Sequence, residues 1–449
     1  MGNLFSFSLA KREAGGGFSI HKILQTCVRQ RLSKPQRQTF VENAILVVAG
    51  AVWKLSSERQ QGWLTYRQLL SHVKSCEGHL DDSLQRTTCV LTTRALFILG
   101  QFCDQFGQHD QAIRWFKKGL NTAAHLSTLS SFEGRDGIFT AMLNKGQLHE
   151  ALAEFQTLYA EAITQLGVQH ELTNKIANSL GITYKKIGSW EQALEWYETS
   201  LSQVREKFGE GNQRTLATLN NIAVIYKEQK EYEKALDVFQ DVLGKKEAAL
   251  GEEDPSTLET VMNIGILHGR RERYNEALHF LRRALRGREK QLGKDNPKTL
   301  GVKGNIANLY LRSGRLEEAI KLHEETYNGY KKVYGPTHHD IFTTADWLGE
   351  GYCQKGLYAE SLSWYNEALS GRRILLGEGN AKTLETVASM AGVFQLQGRL
   401  YRAIIWYKWA LDGFRHGFGL KHSGAQSAES QLRALLLQWH QRTREMRSR

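Results

Sequence analysis

The feature that most constrains this chain is an internal period. A Leu-Gly-type pair recurs as Leu166-Gly167, Phe208-Gly209, Leu250-Gly251, Leu292-Gly293, Tyr334-Gly335, Leu376-Gly377 and Phe418-Gly419, each 42 positions after the last. A small residue keeps the same step at Gly181, Ala223, Gly265, Ala307, Gly349 and Ala391. An aromatic or His keeps it at Tyr184, Tyr226, His268, Tyr310, Tyr352 and Phe394. A small-plus-apolar pair keeps it at Ala151-Leu152, Ala193-Leu194, Ala235-Leu236, Ala277-Leu278, Ala319-Ile320, Ser361-Leu362 and Ala403-Ile404. Columns held in register over this length define a repeat array, whose units bury their apolar faces by stacking on their neighbours.

Within a unit the spacing predicts helix–turn–helix. The small residue at Gly181 or Ala223 lets the second helix approach the first, and Tyr184 and Tyr226, three residues on, share its face. Gly146, Gly188, Gly314, Gly356 and Gly398 end first helices where a left-handed residue is needed. Only 4 Pro occur, and most of the 41 Gly fall between helical stretches, so the fold class is all-α.

The chain divides into five segments. Residues 420–449 make a capping helix, with apolar residues at 432, 435, 436 and 437, and a basic tail. Residues 168–419 carry the regular repeats, and 86–167 two divergent ones, the first turning at Gly107. Residues 35–85 form a linker of two helices, Gln38 to Leu55 and Trp63 to Cys76, covering the first repeat's apolar face. In residues 1–34 a strand (Leu4 to Leu9), a Gly15-Gly16-Gly17 turn and a returning Phe18-Ser19-Ile20 strand precede a helix from His21 to Leu32.

The repeat columns resemble the tetratricopeptide repeat in the 42-residue form of kinesin light chains, through segments such as Leu219-Asn220-Asn221-Ile222-Ala223 and Leu292-Gly293-Lys294-Asp295-Asn296-Pro297. That resemblance implies a right-handed superhelix whose first helices line a concave binding surface. The stretch Phe18-Ser19-Ile20-His21-Lys22-Ile23-Leu24-Gln25 with its basic helix resembles the winged-helix end of fungal NLR-type proteins, where an NB-ARC module precedes such repeats. No GxxxxGK[ST] phosphate loop is present, so the resemblance implies the C-terminal half of such a receptor, or a late-started gene model.

A net charge of +12 raises the question of nucleic acid, but the basic residues are scattered among Glu. The densest basic run, Gln441 to Arg449, reads as a solvated helix end, and nucleic acid is disfavoured. Five cysteines without CxxC spacing argue for a reducing compartment and against a zinc site, which places the chain in the cytoplasm. No membrane span or secretory signal is expected. Met1-Gly2 with Ser6 matches the acylation pattern only loosely, and acylation is not favoured.

Candidate binding residues lie on the first helices. Asn221, Asn263 and Asn305 stand 42 apart, and a row of amides can bond the backbone of an extended peptide without reading its sequence. The same column suits hydrogen bonds to the neighbouring helix's backbone, and the sequence leaves both readings open. Lys175, Asn178, Lys185, Lys186, Lys227, Arg270 and Arg312 complete the groove set, its basic members favouring an acidic ligand. Asp346, Glu350 and Glu385 give the later repeats the opposite sign, and Lys175, Asn178 and Ile182 lack the pair a chaperone-tail clamp needs. His338-His339 with Asp340 offers no helical spacing for a metal, and His268 replaces an aromatic in a packing column. No GxSxG or Ser-His-Asp element is present.

These readings describe a non-catalytic scaffold that binds protein or peptide ligands and takes no cofactor, metal or small-molecule substrate. Its leading assignment is the sensor half of an NLR-type receptor. The alternatives are a kinesin-light-chain-like cargo adaptor, which wants a heptad coiled coil not seen in residues 1–85, and a nucleic-acid scaffold.

Overall fold

The structure, a computed structural model, describes residues 11–12, 18–19, 34–57, 69–70, 72–73, 76, 90–122, 127–419 and 422–447. Near the N-terminus β1 (Lys11–Arg12) pairs antiparallel with β2 (Phe18–Ser19), Lys11 opposite Ser19 and Arg12 opposite Phe18. The returning strand thus forms where the sequence places it, and its partner is Lys11–Arg12. The expected Leu4 to Leu9 strand, glycine turn and His21 to Leu32 helix lie outside the described residues.

The remaining elements are helices in two compact units, residues 1–187 with 191–207 and residues 208–449 with 188–190. Unit 1 holds α1 (Lys34–Ser57), α2 (Val90–Gln105), α3 (His109–Thr122), α4 (Thr128–Lys145), α5 (Leu148–Leu166), α6 (Glu171–Ile187) and α7 (Trp190–Phe208). The helix α1 packs on α2. An aromatic core fills the unit, with Trp115, Phe102, Phe116 and Phe155 fully buried. Unit 2 stacks α8 (Gln213–Glu228), α9 (Tyr232–Leu250), α10 (Pro255–Arg270), α11 (Tyr274–Leu292), α12 (Pro297–Arg312), α13 (Leu316–Tyr334), α14 (His339–Gln354), α15 (Tyr358–Leu376), α16 (Ala381–Leu396), α17 (Leu400–Phe418) and α18 (Ser423–Arg447). Sequential helices pack in order, pair upon pair, as a helix–turn–helix solenoid.

The small column works as its chemistry requires. A methyl group on Gly181 would sit 2.7 Å from the Tyr197 ring, one on Gly349 2.9 Å from Tyr365, and one on Gly265 2.9 Å from Leu281. The turn glycines are left-handed, with φ of 95° at Gly146 and 77° at Gly314, and Lys230 and Glu272 adopt the same conformation at the equivalent positions of two repeats.

First helices begin at a capped residue that also keeps the repeat's step. Asn212, Asp254, Asn296 and Asn380 accept from a backbone N–H two residues on. His170, His338 and His422 do so through Nδ1, at 3.2, 3.3 and 3.1 Å. Cap and orphan amide satisfy one another in each case.

The C-terminal helix closes unit 2. It begins at Ser423, so the face that meets the last repeat carries Ala425, Ala428 and Leu435, while Leu436 and Leu437 are exposed. Of the apolar positions expected in contact, 432 and 435 pack and 436 and 437 do not, because the helix turns them away.

Candidate first-helix binding face

On α12 the residues Gly301, Asn305, Asn308 and Arg312 recur at helical spacing and form one stripe. Asn305 is half-buried, Arg312 is exposed, and neither side chain makes a hydrogen bond or ion pair among the described residues. Gly304 borders the stripe and leaves bare backbone, since a methyl group there would meet nothing within 4 Å. Such a surface offers a carboxamide, a guanidinium and close approach to a helix.

The other members of the row differ. Asn221 is half-buried. Asn263 is buried, and its Nδ2 donates to Asn220 Oδ1 at 3.5 Å. Asn220 is also the acceptor for Thr260 Oγ1, at 3.3 Å. The amide of Asn263 is therefore held by a neighbouring helix's side chain. Most of the basic set is held by internal acceptors as well. Lys227 lies 3.1 Å from Glu228, whose other oxygen is 3.7 Å from Arg270. In unit 1, Lys175 pairs with the buried Asp136 at 2.8 Å, and Lys186 donates to Asn144 at 2.9 Å. Asn178 and Lys185 are half-buried on α6.

The acidic side chains of the later repeats are engaged too. Asp346 pairs with Arg372 and accepts from Thr386 at 3.1 Å. Glu350 accepts from Tyr365 and Gln354, and Glu385 pairs with Lys382.

A second repeating feature sits deeper and was not anticipated. Lys246, Arg288 and Arg372 occupy one column of the 42-residue period on second helices, with Tyr330 between the last two, and all three are buried. Each donates to a carbonyl ten residues ahead, on the next first helix: Ser256 at 3.1 Å, Lys298 at 2.9 Å and Lys382 at 2.9 Å. Burial lowers the pKa of Lys246 and Arg288. Charged side chains in a helix read from sequence as a solvated face. Their shared register with the Leu-Gly columns was the available signal.

His268 is a core residue, as its column implies: it is buried, stacked on Phe280 at 5.5 Å, and burial lowers its pKa. His338, His339 and Asp340 do bring ligand-type atoms within 4.8 Å of one another. His338 Nδ1 is, however, the helix-cap acceptor, and its ring stacks on Tyr334 at 3.6 Å. No helix among the described residues is long and apolar enough to cross a membrane.

Comparison with known proteins agrees with this architecture. A tetratricopeptide-repeat model matches residues 172–248, 214–290, 256–332 and 340–416, more than half of the chain, and a second matches 93–125. No curated protein matches the sequence. Among solved structures, a Podosopora anserina kinesin light chain with nearly identical TPR-like repeats is 20% identical, covers 46% of this chain and 98% of its own, and has a TM-score of 0.38. BtubC from P. vanneervenii is 17% identical over 52% of this chain and 91% of its own, with a TM-score of 0.39. The Rap conjugation gene regulator of plasmid pLS20, in complex with the Phr* peptide, is 12% identical over 85% of this chain and 99% of its own, with a TM-score of 0.50. At these identities the likeness is one of fold alone. By its columns, its stacked helix pairs and the matching repeat models, the chain belongs to the tetratricopeptide-repeat family, a family of protein-interaction scaffolds.

Proposed function

We propose that this chain is a non-catalytic scaffold that binds an extended segment of another polypeptide along the exposed face of its first helices. The observation that carries this reading is the α12 stripe. Asn305 and Arg312 stand open there beside the bare backbone of Gly304, while equivalent polar groups elsewhere are held internally. A carboxamide both donates and accepts, so it can pair with a peptide group of any sequence. The guanidinium adds a preference for carboxylates.

Screening ten-residue peptides on an array against the full chain tests the idea. Changing Asn221, Asn305 and Arg312 together to Ala should abolish capture while leaving the melting curve nearly unchanged. Undiminished capture by the triple variant would reject the face.

The resemblance of the N-terminal segment supports a finer reading, in which this scaffold is the cytoplasmic sensor half of a fungal NLR-type receptor. Genomic sequence upstream of Met1 should then encode a phosphate loop in frame, and a stop codon close by would remove it.

A further inference from the structure

Four departures from the repeat pattern meet in unit 2, where α12, α13 and α14 pack. The position that holds Ser179, Asn221, Asn263, Asn305 and Ser389 in other repeats holds Trp347, 40% exposed. Parallel to its ring, within 5° and 6.3 Å between centroids, lies His323. That residue is 1% exposed, and neither ring nitrogen has a hydrogen-bond partner. Its column otherwise reads Phe155, Tyr197, Phe239, Leu281, Tyr365 and Tyr407.

The third departure is Asn308, whose buried Oδ1 is also without a partner. One repeat on, the residues equivalent to His323 and Asn308 are Tyr365 and Glu350, which close a hydrogen bond of 3.2 Å. Replacing the long phenol by an imidazole, and the carboxylate by an amide, leaves that bond unmade. Fourth, the adjoining turn of α12 lacks side chains. At Gly304 a methyl group would meet nothing within 4 Å, and at Gly301 only the Tyr330 hydroxyl at 3.5 Å.

Two of the unmet atoms ask for a donor, and the remaining imidazole nitrogen carries a proton. Asn308 Oδ1 only accepts, and a neutral imidazole has one bare nitrogen that also accepts. Burial keeps His323 neutral, pushing its pKa down to about 4. An exposed indole face attracts a cation, and Glu350, nearly one turn beyond Trp347 on α14, adds negative charge. A planar guanidinium stacks and donates at once, which a compact ammonium does less well.

We propose that this junction is a subsite for an arginine side chain of the bound polypeptide. The guanidinium lies over Trp347, enters across Gly301 and Gly304, and donates to Asn308 Oδ1 with His323 beneath. The subsite rests on the reading that the first-helix face binds polypeptide.

The test uses arrayed ten-residue peptides carrying Arg, Lys, citrulline or Gln at one position, probed with the full chain and with Trp347→Ala, Trp347→Phe and Asn308→Leu. Arg peptides should bind wild type roughly tenfold more tightly than citrulline peptides, a gap on the scale of one cation–π contact with its hydrogen bond. Trp347→Phe should keep that preference, while Trp347→Ala and Asn308→Leu should lose it. A preference that survives Trp347→Ala overturns the subsite, as does an Asn308→Leu chain that binds unchanged, which would mean that only internal water meets the amide. Binding indifferent to Arg sinks this subsite alone. Absence of all peptide binding by the wild-type chain sinks the reading of the face beneath it.

Discussion

Phe342 lays its ring on the bare Cα of Gly371, nearer than any side chain there would allow. The relationship recurs: Gly287 receives Leu258, with a methyl group placed 2.6 Å from Cδ1, and Gly329 receives Leu300 at 2.7 Å. Gly371→Ala should therefore cost about 2–3 kcal/mol, outweighing the roughly 1 kcal/mol of helix propensity that alanine supplies. Gly244→Ala, on an exposed turn of α9 with nothing within 4 Å, should gain up to about 1 kcal/mol. Urea unfolding of the two variants checks the contrast, and equal shifts would mean the ring yields freely.

Lys230 and Glu272 hold φ of 65° and 61°, where the equivalent turns of other repeats hold glycine. A left-handed residue with a Cβ is strained. Lys230→Gly and Glu272→Gly should each raise stability by about 0.5–1 kcal/mol, after the glycine's larger unfolded-state entropy is subtracted. Melting temperatures decide it, and a loss would show that these side chains anchor their turns.

Arg372 is 3% exposed and is held by Asp346, Thr386 at 2.6 Å and the Lys382 carbonyl. Removing one partner of such a pair strands the other charge. Arg372→Met is expected to cost about 3 kcal/mol, and adding Asp346→Leu should recover most of it. A double-mutant cycle reads the coupling directly. Simple additivity would show that the two groups are independent.

Burial pushes the pKa of His323 in the folded chain down to about 4, from the ordinary imidazole value of about 6.5. The unfolded chain then binds a proton at this site that the folded chain does not. Stability is full above pH 6.5 and drains as pH falls through that window toward 4, by about 3 kcal/mol at most. His323→Leu, copying Leu281 one repeat earlier, should flatten this part of the profile. An unchanged acid limb would place the titration elsewhere.

The period, the small columns and the turn glycines were legible because each is a steric requirement that few residue types meet. Gly181 beneath Tyr197 and the left-handed Gly314 follow from spacing alone. The partners of Asn263 and Lys227 were not legible. Whether a polar side chain faces water or a neighbour depends on what the adjoining helix offers, here Asn220 and Glu228. The helix caps were written in the sequence in plain register, yet His170, His338 and His422 hid the column because a ring nitrogen is an unfamiliar stand-in for a carboxamide.

The cations at Lys246, Arg288 and Arg372 have a consequence for how such a chain grows. Each is anchored by a carbonyl that belongs to the following block, so these three blocks are not self-sufficient at their trailing edges. Duplication by whole periods preserves every anchor, whereas a deletion ending between residues 372 and 382 strands a guanidinium. A block exchanged at a common phase therefore keeps its anchor, and a break is tolerated best beside Val204, Tyr330 or Phe414, the members of that column that carry no cation.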